Sequence, residues 1–341
     1  MQQRKRAKAP SMVDVAHAAG VGLVTVSRVL NDPDVVSEET RQRVQEAIDR
    51  LGYRRNDLAR ALKSGRSTTI GVVIAGSEVF ELSSILRGVD GAAQAAGYWV
   101  SLASWQHGAI ARLSELVDRL ADQAVEGVAI VADHPLEPAV VERMAARLPV
   151  TVVRSGDLDL PSVSSVEIDQ RVGARLATQH LLDQGHRRVV HLTGRLDAFD
   201  AQARQSGWAD TMRDAGLPED QLEGDFTAAS GYRLTQEVLS RADRPTALFV
   251  GNDLMAVGVL AALAQAGVDV PGDMSVVGFD DMAGADFLVP ALTTVRQDFV
   301  TLGRTSIESL VALIGGHQPE HHLIPPSLVV RASSGPVAPG A

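Results

Sequence analysis

From Ile70 onward the chain alternates short apolar runs with amphipathic stretches, and this rhythm limits the possible folds more than any other feature. "IGVVIA" is followed by helical periodicity over Leu82–Ala96, "WVSLAS" by Ala109–Gln123 and "GVAIVA" by Glu137–Arg147, and "VTVV" comes next. After a break over 154–165 the pattern resumes. "VSSVEI" precedes Gln170–Gln184, "RRVVHLTG" precedes Asp200–Ala215 and "ALFVG" precedes Asn252–Ala266, with "SVVGFD" beyond. Apolar runs of strand length, each followed by a helix, predict parallel sheets with crossover helices. Two such runs predict an α/β core of two parallel-sheet lobes with a cleft between them. "LGRTSIESLVALIGG" reads as one more helix, returning to the first lobe. The Gly/Pro-rich end "SSGPVAPGA" is expected to be disordered.

The first 66 residues follow a different period. In "SMVDVAHAAGVGLVTVSRVLND" Ser11 and Asp14 form a capping-box pattern, Val15, Ala16 and Ala19 share one face, and Gly20 allows a sharp turn. A second helix over Leu23–Leu30 turns Val26, Val29 and Leu30 inward and leaves Leu23, Val24, Ser27 and Arg28 outward. Two short helices joined by a tight turn make a helix-turn-helix, whose second helix fits the DNA major groove. Ser37 is expected to cap a third helix with Val44, Ile48 and Leu51 on its inner stripe, completing an all-α head. The basic segment "RRNDLARALKSGRSTT" is too short to be a stable helix alone and reads as a linker that orders in contact with something.

Charge agrees with this division. The net charge is −10, but residues 1–66 hold 13 Lys/Arg against 8 Asp/Glu, and residues 67–341 hold 19 against 34. A basic head on an acidic body can hold phosphates at one end. The basic N-terminus is followed by no apolar segment of a secretory signal, and no apolar run is long enough to span a membrane. With no cysteine in the chain, disulfides and thiolate nucleophiles are excluded, which suits a cytoplasmic location.

No catalytic constellation stands out. "GVGLVT" has Thr where a dinucleotide fingerprint needs its third glycine and follows a helix rather than a strand. His317, His321 and His322 could be spaced for a metal but read as a solvated loop, so no metal, cofactor or enzymatic reaction is expected. Polar residues do gather at the C-terminal ends of the expected strands: Arg154, Arg204, Asn252, Asp280 and Gln297. Ligands of open α/β sheets bind at those ends. Carboxylate and amide oxygens accept from hydroxyls while Arg donates in a fixed fork, which suits a polyhydroxylated ligand, and Phe226 could cover an apolar sugar face.

"MVDVAHAAGVGLVTVSRVLN", "VSEETRQRVQEAIDRLGY" and "LARAL" resemble the head and hinge of the lactose-repressor (LacI/GalR) family. "DQRVGARLATQHLLDQGHRRVVHLTG", "PTALFVGNDLMAVGVLAAL" and "DMSVVGFDDMAGADFLVPALTTVRQDF" resemble its periplasmic-binding-protein-like core, and the likeness runs over about residues 12–332. The resemblance implies a helix-turn-helix head over 1–54, a hinge over 55–69, a core over 70–335 and a tail over 336–341. Lobe 1 would comprise about 70–168 and 299–326, and lobe 2 about 169–298 and 327–335. It implies a cytoplasmic repressor acting as a homodimer on operator DNA, controlled by a small sugar or glycoside. It places Leu23, Val24 and Arg28 on bases, Thr25, Ser27 and Asn31 near phosphates, and Asn56, Ala59 and Leu62 in the hinge, with Leu62 wedged into the minor groove. For the effector it implies Arg204, Phe226, Asn252, Asp280 and Gln297 in lobe 2, Val79, Leu82 and Ile85 in lobe 1, and Arg154 where many relatives have Asp. The leucine-heptad helix at the C-terminus of one member of that family has no counterpart after Arg331, so a tetramer by that route is not expected.

Overall fold

The computed structural model of the chain describes residues 10–53, 66–75, 82–105, 111–132, 136–153 and 160–338. It separates into two compact units, Met1–Ser67 and Thr68–Ala341. Asn56, Ala59, Leu62, Val79 and Arg154 lie outside the described residues, as does the side chain of Asn31.

The small unit holds α1 (Met12–Ala19), α2 (Leu23–Asn31) and α3 (Glu38–Leu51). Ser11 and Asp14 close the expected capping box on α1: the Ser11 amide donates to Asp14 Oδ2 at 2.7 Å, and the Asp14 amide to Ser11 Oγ at 3.4 Å. Gly20 then takes φ 64°, a left-handed conformation that costs glycine least, and the chain turns by 105° between α1 and α2. Val15, Ala16, Ala19, Val26, Val29, Val44, Ala47 and Tyr53 form the core of this unit. Ser37 stands before α3 as expected but makes no side-chain cap to the helix backbone, because its hydroxyl donates instead to Thr40 Oγ1 at 3.0 Å.

The large unit contains two six-stranded sheets. The first has the order β11-β5-β4-β3-β1-β2, built from β1 (Thr69–Ala75), β2 (Trp99–Trp105), β3 (Val128–Ala132), β4 (Val150–Val153), β5 (Ser164–Ile168) and β11 (His321–Ile324). The second has the order β12-β10-β9-β8-β6-β7, from β6 (Val189–Thr193), β7 (Asp220–Glu223), β8 (Ala247–Val250), β9 (Ser275–Asp280), β10 (Thr293–Arg296) and β12 (Ser327–Val329). Every pairing is parallel except β10 with β12, so the expected parallel sheets acquire one antiparallel edge. Helices α4 (Leu82–Ala95), α5 (Ala111–Asp122) and α6 (Pro138–Ala145) serve the first sheet, with α11 (Phe299–Ile314) packed on α4. Helices α7 (Gln170–Asp183), α8 (Phe199–Asp214), α9 (Ala228–Ser240) and α10 (Asp253–Gln265) cover the second. Among the described residues no single helix is long and apolar enough to cross a membrane.

The chain passes between the sheets three times: from β5 to α7, from β10 to α11 and from β11 to β12. "VSSVEI" therefore closes the first sheet rather than opening the second, so the break lies after Ile168 and not over 154–165. Strand β7 and helix α9 were not expected from the sequence. "DQLE" is an edge strand without an apolar run, and its neighbours in the sheet rather than its own hydrophobicity hold it. The tail differs most from expectation. Ser333 is fully buried: its hydroxyl donates to Val276 O at 2.6 Å and accepts from Thr293 N at 2.8 Å, while the Val276 amide donates to Ser333 O at 2.7 Å. Val337 N still reaches Gln184 O at 3.0 Å, so the segment is docked through 337 by backbone pairing that its composition does not reveal. His321 and His322 lie on strand β11, not in a loop; His321 Nδ1 is 2.7 Å from Ser165 Oγ, and His322 pairs with Glu320 at 3.3 Å.

Candidate functional site

On α2 the inward positions are taken by Val26 and Val29, which leaves Leu23, Val24 and Arg28 exposed on the opposite side. Leu23 is 48% and Val24 65% exposed, a large apolar surface to leave in water on so small a unit. Thr25 and Ser27 are half-buried beside them. Arg50 binds back to Ala18 O at 3.1 Å and secures α3 to α1, so the three-helix frame presents this face as a unit.

In the large unit a cavity of about 350 Å³ lies between the lobes, and its two walls differ in chemistry. Ile85, Val131, Ala132, Val153 and Ile168 from lobe 1 give a mainly aliphatic wall that also carries Glu167 of β5, continued by Phe299 and Leu302 of the crossing helix α11. The lobe 2 wall is polar: Gln170, Arg195, Asp200, Arg204, Asp225, Thr227, Asn252, Asp280 and Gln297, with Phe226.

Four of these polar side chains close a buried ring. Arg204 on α8 donates through Nε to Gln170 Oε1 at 2.8 Å, Gln170 Nε2 to Gln297 Oε1 at 2.7 Å, and Gln297 Nε2 to Asp280 Oδ1 at 2.7 Å. Asp280 Oδ1 lies 3.6 Å from Arg204 Nη2, which completes the circuit. A further bond runs from Arg204 Nη1 to Gly251 O at 2.6 Å, and the guanidinium carbon sits 4.0 Å above the Phe279 ring. Gln170 starts α7, Asp280 ends β9 and Gln297 follows β10, whereas Arg204 lies in the second turn of α8 rather than at the strand end expected of it, reaching the others across the helix–strand packing of lobe 2. Burial pushes the Asp280 carboxyl well above the usual range, against the pull of Arg204. Asp280 also has φ 116°, a strained conformation held by the packed loop after β9.

Asn252 lines the cavity as a helix cap: its Oδ1 accepts from Met255 N at 2.8 Å at the start of α10, and its Nδ2 donates to Phe226 O at 3.2 Å. That bond fixes Phe226, itself at φ 68°, with its ring over Gly194. A Cβ on Gly194 would lie 2.0 Å from the ring, so only glycine leaves room for it. Among the expected lobe 1 residues, Ile85 reaches the cavity, whereas Leu82 does not line it and packs against the lobe 1 core instead. Sequence reasoning missed Gln170, Asp200, Asp225, Phe299 and Leu302. Gln170 stands two residues after β5, so the strand-end rule could have found it; Phe299 and Leu302 belong to a helix whose role as a shared wall is visible only in three dimensions.

A curated relative, the ribose operon repressor of Escherichia coli (strain K12), is 36% identical over 311 residues, covering 88% of this chain and 92% of its own. The chain belongs to the lacI family of bacterial regulatory proteins. The model described as "Bacterial regulatory proteins, lacI family" matches residues 11–56, and the one described as "Periplasmic binding protein-like domain" matches 178–334. The lactose operon repressor of the same strain is 33% identical over 332 residues, covering 96% of this chain and 91% of its own. Among solved structures, the lac repressor dimer bound to operator and the anti-inducer ONPF matches with a TM-score of 0.85 at 32% identity, covering 96% of this chain and all of that one. A transcriptional regulator CelR–cellobiose complex matches with a TM-score of 0.70 at 34% identity, covering 95% and 99%. This lacI-family member therefore has the two-lobed α/β core and helix-turn-helix head expected from its sequence.

Proposed function

We propose that the protein is a cytoplasmic transcriptional repressor of carbohydrate uptake or catabolism, working as a homodimer on a pseudo-palindromic operator and controlled by a small sugar or glycoside in the interlobe cavity. The buried ring of Arg204, Gln170, Gln297 and Asp280 carries this reading. It presents fixed donors and acceptors at one wall of a cavity whose other wall is aliphatic apart from Glu167, and a polyhydroxylated ring with an apolar face matches both. The head contributes Leu23, Val24 and Arg28 as base-reading side chains, with Thr25, Ser27 and Asn31 beside the phosphates and Asn56, Ala59 and Leu62 in the hinge. In lobe 2, Arg204, Asp280 and Gln297 hold hydroxyls, Phe226 covers the ring and Asn252 shapes the cavity. Ile85 supplies the apolar side in lobe 1, and Val79 and Arg154, outside the described residues, are its proposed companions there. The protein performs no chemical reaction of its own.

The walls come from both lobes, so a ligand that contacts both stabilises one lobe arrangement over others, and only such a difference can alter operator affinity. The test is fluorescence anisotropy on an operator fragment with D-ribose, D-galactose, D-glucose, lactose and cellobiose added in turn. At least one sugar should shift operator affinity by about 5- to 150-fold. No shift with any sugar, together with a shift by a purine, would remove the carbohydrate reading. In the same assay Arg28→Ala should cost about 1–3 kcal/mol on the operator and far less on random DNA; an equal loss on both would make Arg28 a phosphate contact.

A further inference from the structure

We propose that the cavity grips its ligand by two adjacent hydroxyls, held by Asp200 and Asp280 on either side of Arg204, and that Asp200 is a specificity-determining residue of the site. This rests on the reading of the cavity as a polyol site. Two of the three guanidinium nitrogens of Arg204 are used inward, Nε on Gln170 and Nη1 on Gly251 O. The third, Nη2, stands between two carboxylates, 3.6 Å from Asp280 Oδ1 and 3.7 Å from Asp200 Oδ2. Both distances exceed the roughly 2.7–3.2 Å of a hydrogen bond. All three side chains line the cavity. A hydroxyl has one proton to give and two lone pairs, so each of two neighbouring hydroxyls can donate to one carboxylate and accept from Nη2.

The two arms differ in confinement. Asp280 is buried and held by Gln297, whereas the Asp200 side chain, in the first turn of α8, is 44% exposed at the cavity edge. Asp280 therefore sets the position of one hydroxyl, and Asp200 selects the orientation of its neighbour. The same pair of carboxylates opposes an anion at Nη2, so a phosphate ester at either hydroxyl is disfavoured although both Arg204 and Arg195 line the cavity.

Calorimetry tests this with D-ribose, D-galactose, D-glucose, lactose and cellobiose, then with every monodeoxy analogue and phosphate ester of the tightest binder. Wild type should lose about tenfold or more on deoxygenation at two adjacent carbons. In Asp200→Asn the loss at one of those carbons should shrink to about twofold while the loss at the other persists; Asp200→Ser should show the same pattern. Equal losses in wild type and both variants for every analogue would overturn the role of Asp200, even though sugar binding stood. A phosphate ester bound more tightly than its parent would make Arg204 an anion holder and overturn the clamp. Failure of all five sugars to bind would overturn the polyol reading beneath it.

Discussion

Arg204→Lys keeps the positive charge of the site and removes only its geometry. The guanidinium serves Gln170 Oε1 at 2.8 Å and Gly251 O at 2.6 Å from different nitrogens while stacking 4.0 Å above Phe279. A lysine ammonium is a single point on a flexible stem and cannot reach both acceptors from the ring plane. At least one buried acceptor loses its partner, at about 1–3 kcal/mol, and the lost stacking adds about 0.5–2 kcal/mol. Arg204→Lys should therefore cost about 1.5–5 kcal/mol of unfolding free energy, a large share of the roughly 5–15 kcal/mol typical of a domain. Urea unfolding followed by circular dichroism measures it. Arg204→Ala should cost more at pH 7.5 than at pH 5, because Asp280, without its cation, folds more easily in the protonated form. Unfolding of Arg204→Lys within about 0.5 kcal/mol of wild type would show that the ring is not a structural element, and the account of the site would fail with it.

Three other variants probe other parts of the fold. His191 is buried, with Nδ1 on Phe249 O at 2.9 Å, and burial pushes it down to about 4. The stability it lends is thus present above 6.5 and lost as pH falls through about 4. Asp253, raised by burial to about 6, has the opposite sign: its contribution is present below 3.8 and lost as pH rises through about 6. The two offset each other in wild type, so the stability of His191→Phe relative to wild type should rise by about 3 kcal/mol between pH 6.5 and 4 in urea melts; a flat difference would refute the assignment. Ser333→Ala removes the hydroxyl bridging Val276 O and Thr293 N and should lower stability by about 1–3 kcal/mol, whereas a tail without structural role would give no change. Gly194→Ala drives a methyl into the Phe226 ring and should weaken binding of the tightest sugar by about tenfold or more; unchanged calorimetry would mean that the ring yields without filling the cavity.

Local physics determined much of this protein from the sequence alone. The Ser11–Asp14 box, the left-handed turn at Gly20 and the stripe of Val26 and Val29 depend on residues within a few positions of one another, so the head could be read directly from them. The boundaries of α7, α8 and α10 were legible for the same reason: each is an amphipathic or apolar stretch beginning where a strand ends. Strand β7 and the docked tail were not legible, because partners far along the chain hold them and their own polar or Gly/Pro-rich composition points elsewhere. The sequence named Arg204, Asp280 and Gln297 as strand-end residues but could not connect them. The strand order of the second sheet and the helices packed on it bring residues 170, 204, 280 and 297 within hydrogen-bonding reach, and the crossing from β10 to α11 places Phe299 and Leu302 in the same cavity. Periodicity records which face of an element is apolar. Which faces meet depends on strand order and crossover connections, and those are settled by packing the whole chain at once.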